Sequence, residues 1–290
     1  MICLAQHCHS SIALTCRLLG VARSWFYYRR QPRRPRPLRR PQLAEAIHAL
    51  LVQCPPSYGY RRLHALLQRQ GIRCNRKTVY QYLKRKAWLA SHRRRILRPG
   101  RRHQGKVAVL RSNQRWACDI TNLPLWNGQK LRLAVIIDCA DRMVVAWKLQ
   151  PRLTALDVCE LLREALFHRF KQQLQHAKGL EFLTDNGPEF IAAPLQAFLK
   201  QLGLSACRTP CRSPQSNGLV EAFFGGFKRD YLAHHPLETI AQATERVPVW
   251  INHYNQVAPH SALAMLAPAT FYQQQLTHPS PQTTTIPVQF

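Results

Sequence analysis

Acidic residues are almost missing from the first 110 positions of this 290-residue chain; Glu45 stands alone there. The same stretch carries 25 Lys and Arg, a net charge of +24, against +4 for residues 111–290. An excess spread evenly would mean only solubility. Concentrated in one segment it points to a polyanion, and nucleic acid is the expected partner. No run of about 18 apolar residues occurs, so no membrane-spanning helix is expected. The N-terminus, MICLAQHCHSSIALTC, lacks the basic-then-apolar order of a signal peptide, so a soluble, intracellular protein is expected. Paired two-residue spacing is absent from the ten cysteines: Cys3, His7, Cys8, His9 and Cys16 merely cluster, and Cys207 and Cys211 form a C-x-x-x-C pair with three residues between them. These are expected to be reduced thiols rather than a structural zinc site.

What is present is 46% hydrophobic residues, enough for a substantial core. Residues 11–30 read as helix, turn at Gly20, helix, with Leu14, Leu18 and Val21 on one apolar face. The Arg/Pro-rich stretch 30–41 should be an extended, solvated linker. Three helices follow in 42–90. The first has Leu43, Ile47, Leu50 and Leu51 on one side, and the second, 58–70, is closed by Gly71. The third begins near Asn75, a residue type that caps free backbone N–H groups. Arg76 and Lys77 at that start suit a helix end presented to phosphate, as in helix-turn-helix DNA binding. A second basic linker spans 91–110, and a domain boundary is expected near 110.

From 111 strands and helices alternate. RWACDI is a strand, and 123–138 reads as strand, Asn127-Gly128 turn, strand. MVVAWKLQ (143–150) is a third strand, LEFLTD (180–185) a fourth and SACRT a short fifth. Thr154 caps a long helix with Leu161, Leu162, Ala165 and Leu166 inward. Further helices span 194–204 and begin near Asn217. The pattern predicts a mixed α/β sheet covered on both faces.

Asp119 lies in the first strand, Asp185 ends the fourth and Glu221 begins a helix, with thirty-five residues between the last two. Phosphodiester cleavage needs an activated oxygen nucleophile and stabilisation of spread negative charge, which two Mg²⁺ ions about 3.5–4 Å apart supply. Mg²⁺ takes hard oxygen ligands, and clustered acids need a cation between them. Asn186-Gly187-Pro188 predicts a tight turn exposing Asp185. Lys228, seven residues after Glu221, shares its helix face and could grip a phosphate.

The run W-x-x-D-I-T, the segment TDNGPEF, the 35-residue gap, SPQSNGLVEAF with Lys228, and HYN…PHSAL (253–263) resemble the transposases of bacterial insertion sequences. The likeness is to the second-reading-frame (OrfB) product and covers roughly residues 11–275. It implies an RNase H-like mixed sheet flanked by helices, the retroviral-integrase-like core of DDE enzymes, preceded by all-α helix-turn-helix segments. It implies that Asp119, Asp185 and Glu221 are catalytic and hold two Mg²⁺, with Mn²⁺ able to substitute. The enzyme would cut one strand at an element end and pass its 3′-hydroxyl to other DNA without a covalent protein intermediate. YGYRRLHALL and NRKTVYQYL are similar to the family's helix-turn-helix, which makes Tyr60, Arg61, Arg62, Asn75, Arg76, Lys77 and Tyr80 candidate DNA contacts, with Lys228 and Arg229 near the cut. Implied partners are double-stranded DNA (terminal repeats and target), a first-frame transposase partner or fusion, and a second copy of the chain on DNA. The place of action is then the bacterial cytoplasm, at the nucleoid.

Four segments are expected: a helix-turn-helix-like segment and linker (1–41), a DNA-binding helix-turn-helix with basic linker (42–110), an integrase-like core (111–275) and a tail (276–290). The sequence departs from the family at Gly225-Gly226, which should soften the Glu221 helix, at Pro248, which should kink a later helix, and at Ala258, where relatives carry Arg. A non-catalytic DNA-binding protein or inactive remnant is the alternative reading, and a nuclease that cuts without joining is a third.

Overall fold

The computed structural model describes residues 11–30, 40–90, 109–208 and 218–277, which fall in two compact units, 1–41 and 42–290. The body of both basic linkers, the approach from Ser213 to Asn217, the Cys3–His9 cluster, Cys211 and most of the C-terminal tail lie outside the described residues.

In the first unit α1 (Ile12–Leu18) and α2 (Arg23–Arg30) form the expected helical pair, turned by Gly20 at φ +61. Ser11 caps α1 by accepting from the Leu14 N–H at 3.2 Å. The expected apolar face is largely uncovered: Leu14 is 49% and Leu18 77% exposed, and Cys16 is the residue of α1 that is buried. Two short helices have too little surface to enclose a core.

The second unit begins with α3 (Pro41–Gln53), α4 (Tyr60–Arg69) and α5 (Arg76–Arg85). Leu43, Ile47, Leu50, Leu63, Leu66, Leu67, Val79, Tyr82 and Leu83 are their inward residues. Gly71, at φ +79, turns the chain out of α4, and the Asn75 side chain accepts from the Lys77 N–H at 2.8 Å to start α5. Both ends follow from sequence: a left-handed position favours glycine, and a free helical N–H favours Asn.

A five-stranded sheet follows: β1 (Arg115–Pro124), β2 (Lys130–Asp138), β3 (Val144–Gln150), β4 (Glu181–Thr184) and β5 (Ser205–Arg208). The order is β3-β2-β1-β4-β5, with β1, β2 and β3 antiparallel and β4 and β5 parallel to β1. This is the RNase H-like mixed sheet that the resemblance implies. RWACDI and the start of 123–138 are one long strand, turned at Gly128 (φ +82) into β2.

Alternation along β1 decides which helix covers which face. Trp116 and Cys118 pack with Phe182 against α6 (Ala155–Phe170), whose start is held by a Thr154–Asp157 capping box. A four-residue helix α7 (Pro188–Ile191) and then α8 (Ala193–Gln201) complete that layer through Phe190, Leu195 and Leu199. Ala117, Leu133, Val135 and Ile137 face the other way, onto α9 (Gly218–Phe227) and α10 (Ile240–Gln256). Each fully buried Leu or Val in these layers contributes roughly 1.5–3 kcal/mol.

Pro248 lies inside α10, and the helix runs through it as one element. Val247, Trp250 and Ile251 on either side are buried in the core and hold the helix to the sheet. HYN also acquires a physical role: the Asn255 amide bonds both the N–H and the carbonyl of Val144, each at 2.9 Å, stitching α10 to β3. The last described helix is α11 (Pro268–Thr277).

Candidate active site

The parallel register of β1 and β4 pairs Ala117 with Leu183, so the chain runs on from there to Asp119 in β1 and to Asp185 just past the end of β4. By alternation along β1, Asp119 projects to the face that carries Ala117, the face covered by α9. Glu221 lies in the first turn of α9 and is exposed, whereas Asp119 and Asp185 are half-buried.

Asp119 senses the charges around it. Burial pushes its carboxyl up to about 6; the Ile120 N–H, 2.7 Å from Oδ1, opposes this. The charges of Asp185 and Glu221 raise it further and Lys228 lowers it. Among the described residues no three acids close into a metal-ligand shell. The donor chemistry, carboxylate oxygens from β1, the end of β4 and α9, suits a hard divalent cation.

Lys228 opens a π-helical turn (Lys228–Leu232) that continues α9, and its Nζ donates to Thr121 Oγ1 at 2.7 Å. Thr121 is two residues beyond Asp119 on the same face of β1. The lysine therefore points into the acidic face rather than out to solvent, which its seven-residue spacing from Glu221 only partly specified.

Asp185 is held by its turn. The chain passes from Asp185 into α7, and the Gly187 N–H donates to Asp185 Oδ1 at 2.9 Å. Asn186-Gly187-Pro188 is thus the approach to a helix. A Cβ at Gly187 would sit 3.0 Å from Asp185 Oδ1. Gly187→Ala should displace the carboxylate and lower strand cutting by up to about a hundredfold, while circular dichroism shows the fold retained.

The double glycine does not end α9, which continues through Gly225 and Gly226 before the π-helical turn. A Cβ at Gly225 would meet nothing within 4 Å. Gly225→Ala should therefore stabilise the chain by about 1 kcal/mol, read as a higher urea midpoint.

The candidate DNA contacts divide. Arg61, Arg76, Lys77 and Tyr80 are exposed, Tyr60 stacks edge-on with Tyr80 at 5.3 Å, and Asn75 serves as helix cap. Arg62 instead donates to buried Asp230 at 2.8 Å and lies over the Tyr58 ring at 4.7 Å. Arg229 Nε and Ser57 Oγ reach the same carboxylate, each at 2.6 Å. Burial would raise Asp230, but Arg229, Arg62 and Ser57 together hold it below the usual carboxylate range. Arg69 adds a second tie, donating to the carbonyls of Val257 and Met265 at 2.7 Å.

The Integrase core domain family matches residues 110–214, a second Integrase core domain family matches 202–268, and an HTH-like domain matches 39–95. The chain is 42% identical over 178 residues to an uncharacterized protein of insertion element IS136 from Agrobacterium fabrum, spanning 60% of this chain and 90% of that protein. It is 34% identical over 235 residues to the transposase InsD of the Escherichia coli insertion element IS2, spanning 79% of this chain and 77% of InsD. The chain belongs to the insertion-element transposases. A simian T-cell lymphotropic virus intasome is a structural neighbour of this transposase at 21% identity and TM-score 0.47, covering 84% of this chain and 78% of that one. None of the described helices of the transposase is long and apolar enough to cross a membrane.

Sequence reasoning missed Asp230 and Arg69, and gave Thr121, part of W-x-x-D-I-T, no role of its own. Asp230 lies in the basic run FKRDY, and its partner Arg62 is 168 residues away, so no local pattern marks the pair. In the transposase Arg62–Asp230 and Arg69 tie α4 to the helices and loop packed on the sheet, whereas Thr121 holds Lys228.

Proposed function

We propose that this transposase cuts one DNA strand at each end of its element and joins the freed 3′-hydroxyl to other DNA, with Asp119, Asp185 and Glu221 holding divalent metal. The observation that carries this reading is geometric: β1 and β4 run side by side toward Asp119 and Asp185, Glu221 stands in the first turn of the covering helix α9, and Lys228 is held to Thr121 on β1 at 2.7 Å. Magnesium, or manganese in its place, would activate the attacking oxygen and stabilise the leaving one. Asp119 and Asp185 set the ligand positions from adjacent strands, and Glu221 closes them from the helix above. Lys228, held by Thr121, supplies the positive charge that would orient a phosphate over the carboxylates. Arg61, Arg76, Lys77 and Tyr80 present a basic and aromatic surface to the duplex.

The remaining parts of the reading are a first-frame partner that completes recognition of the terminal repeats, and at least two copies to hold two ends at the nucleoid. The test incubates labelled element-end duplex with the chain and Mg²⁺, with and without the first-frame segment. Nicked and joined products support strand transfer. Nicking without joining favours a nuclease, and DNA binding with neither activity in any combination favours a non-catalytic DNA-binding protein.

A further inference from the structure

A cavity of about 920 Å³ opens between the start of α4, the π-helical turn after α9 and the loop 258–265. Its size is that of a site for a small organic ligand. None of the three acids nor Lys228 lines it. Ala222 and Phe223 do, so α9 is the wall between the cavity and the acidic face.

Two of its lining residues each carry a buried polar atom without a hydrogen-bond partner. Arg142 Nε is buried without a hydrogen bond, and so is His260 Nε2. Arg142 is also a non-glycine residue at φ +64, a conformation that side chains with a Cβ adopt at an energetic penalty. The Tyr254 hydroxyl donates to the Arg142 carbonyl at 3.0 Å, and the Arg142 N–H donates to the Asp138 carbonyl at 3.0 Å. The fold thus holds a strained arginine in place while leaving its Nε unused.

The same lining holds rings. Tyr254 meets Phe223 edge-on at 4.8 Å and His260 edge-on at 4.7 Å. Burial drives the His260 ring down to about 4, so at neutral pH it is an uncharged aromatic. Arg61 and Arg229 stand in the same lining, and Asp230 is its one carboxylate. Guanidinium groups recognise phosphate, and aromatic surfaces receive unstacked bases. An acidic peptide would use the arginines but leave the three rings without a counterpart.

We propose that this cavity binds one unpaired nucleotide of a DNA strand, its phosphate on Arg142 and its base against Phe223, Tyr254 and His260. The proposal rests on the reading that the transposase acts on DNA. It places the unpaired nucleotide across α9 from the carboxylates, on the far side of the helix that carries Glu221.

The test compares a blunt duplex with one carrying a single unpaired terminal nucleotide, that nucleotide being a fluorescent adenine analogue. Wild type should bind the second duplex about tenfold more tightly, the effect of one stacked base, with a change in analogue fluorescence. Arg142→Gly removes the guanidinium while suiting the left-handed backbone, so it should fold and lose the preference. Ala222→Trp, at an exposed wall position, should fill the cavity and lose it too. A duplex bound without preference overturns the cavity proposal and leaves the DNA reading standing; failure to bind either duplex overturns both. A preference that survives both variants places the nucleotide elsewhere. Displacement of the analogue by an acidic peptide but not by a mononucleotide also overturns the proposal.

Discussion

Asp185→Asn should cut element-end DNA at least about a thousandfold more slowly than the parent chain while folding normally and keeping its DNA affinity. The magnitude follows from the several kcal/mol of charge stabilisation that a bound divalent metal supplies, at tenfold per 1.36 kcal/mol. Folding should survive because the Asn side-chain oxygen can still accept the Gly187 N–H bond made by Asp185 Oδ1 at 2.9 Å. The substitution therefore separates the two roles of the residue. If Asp185 only shapes the turn, the variant cuts normally. If it holds metal, the turn remains and the cutting is lost. Affinity should stay level or rise, because a negative charge leaves a surface that meets phosphates. Single-turnover cleavage and a binding titration on the same preparation read both outcomes.

Arg169→Met should destabilise the chain by about 3–5 kcal/mol, the range for removing one partner of a buried ion pair. The Arg169 side chain is 1% exposed and Asp141 0%. Arg169 Nη2 donates to both Asp141 oxygens, at 3.1 and 2.9 Å, and the guanidinium lies 3.8 Å from the Tyr272 ring of α11. Burial and the Asp138 charge hold the Asp141 carboxyl above the ordinary range, and Arg169 opposes them. Without the arginine that carboxyl rises further. A carboxyl raised in the folded state binds more protons there than in the unfolded chain, so its stability contribution falls as pH rises above the unfolded value. The loss in Arg169→Met should accordingly be smaller at pH 5 than at pH 8. Asp141 keeps hydrogen bonds from Ser112 Oγ at 2.6 Å and the Met143 N–H at 2.9 Å, which places the loss toward the lower end. Asp141→Asn added to Arg169→Met should recover part of it, measured by urea unfolding as a double-mutant cycle.

Local chemistry in the sequence marks much of this fold. Asn127-Gly128 announces the hairpin, Asn75 and Thr154 announce helix starts, and apolar alternation around Asp119 places it on a strand. The second strand acid was legible because it ends an apolar run, and the family resemblance joined it to Glu221. Features that depend on distant partners were hidden. The network of Asp138, Asp141, Arg169 and Tyr272 draws on a turn and two helices far apart in the chain. Pro248 breaks the helical pattern in the sequence, yet α10 spans it as one element with Val247, Trp250 and Ile251 in the core on either side. The short helix α7 was hidden inside a motif that reads as a turn. Leu14 and Leu18 look like one side of a core, but α1 and α2 alone cannot cover them.

The central claim is that Asp119, Asp185 and Glu221 form one metal-holding set. The most direct test titrates Mn²⁺ into the wild-type chain and into Asp119→Asn, following the free-ion electron paramagnetic resonance signal. Loss of free Mn²⁺ signal with wild type, greatly weakened by the substitution and reversed by excess Mg²⁺, is the predicted result. Identical Mn²⁺ uptake by wild type and Asp119→Asn would contradict it.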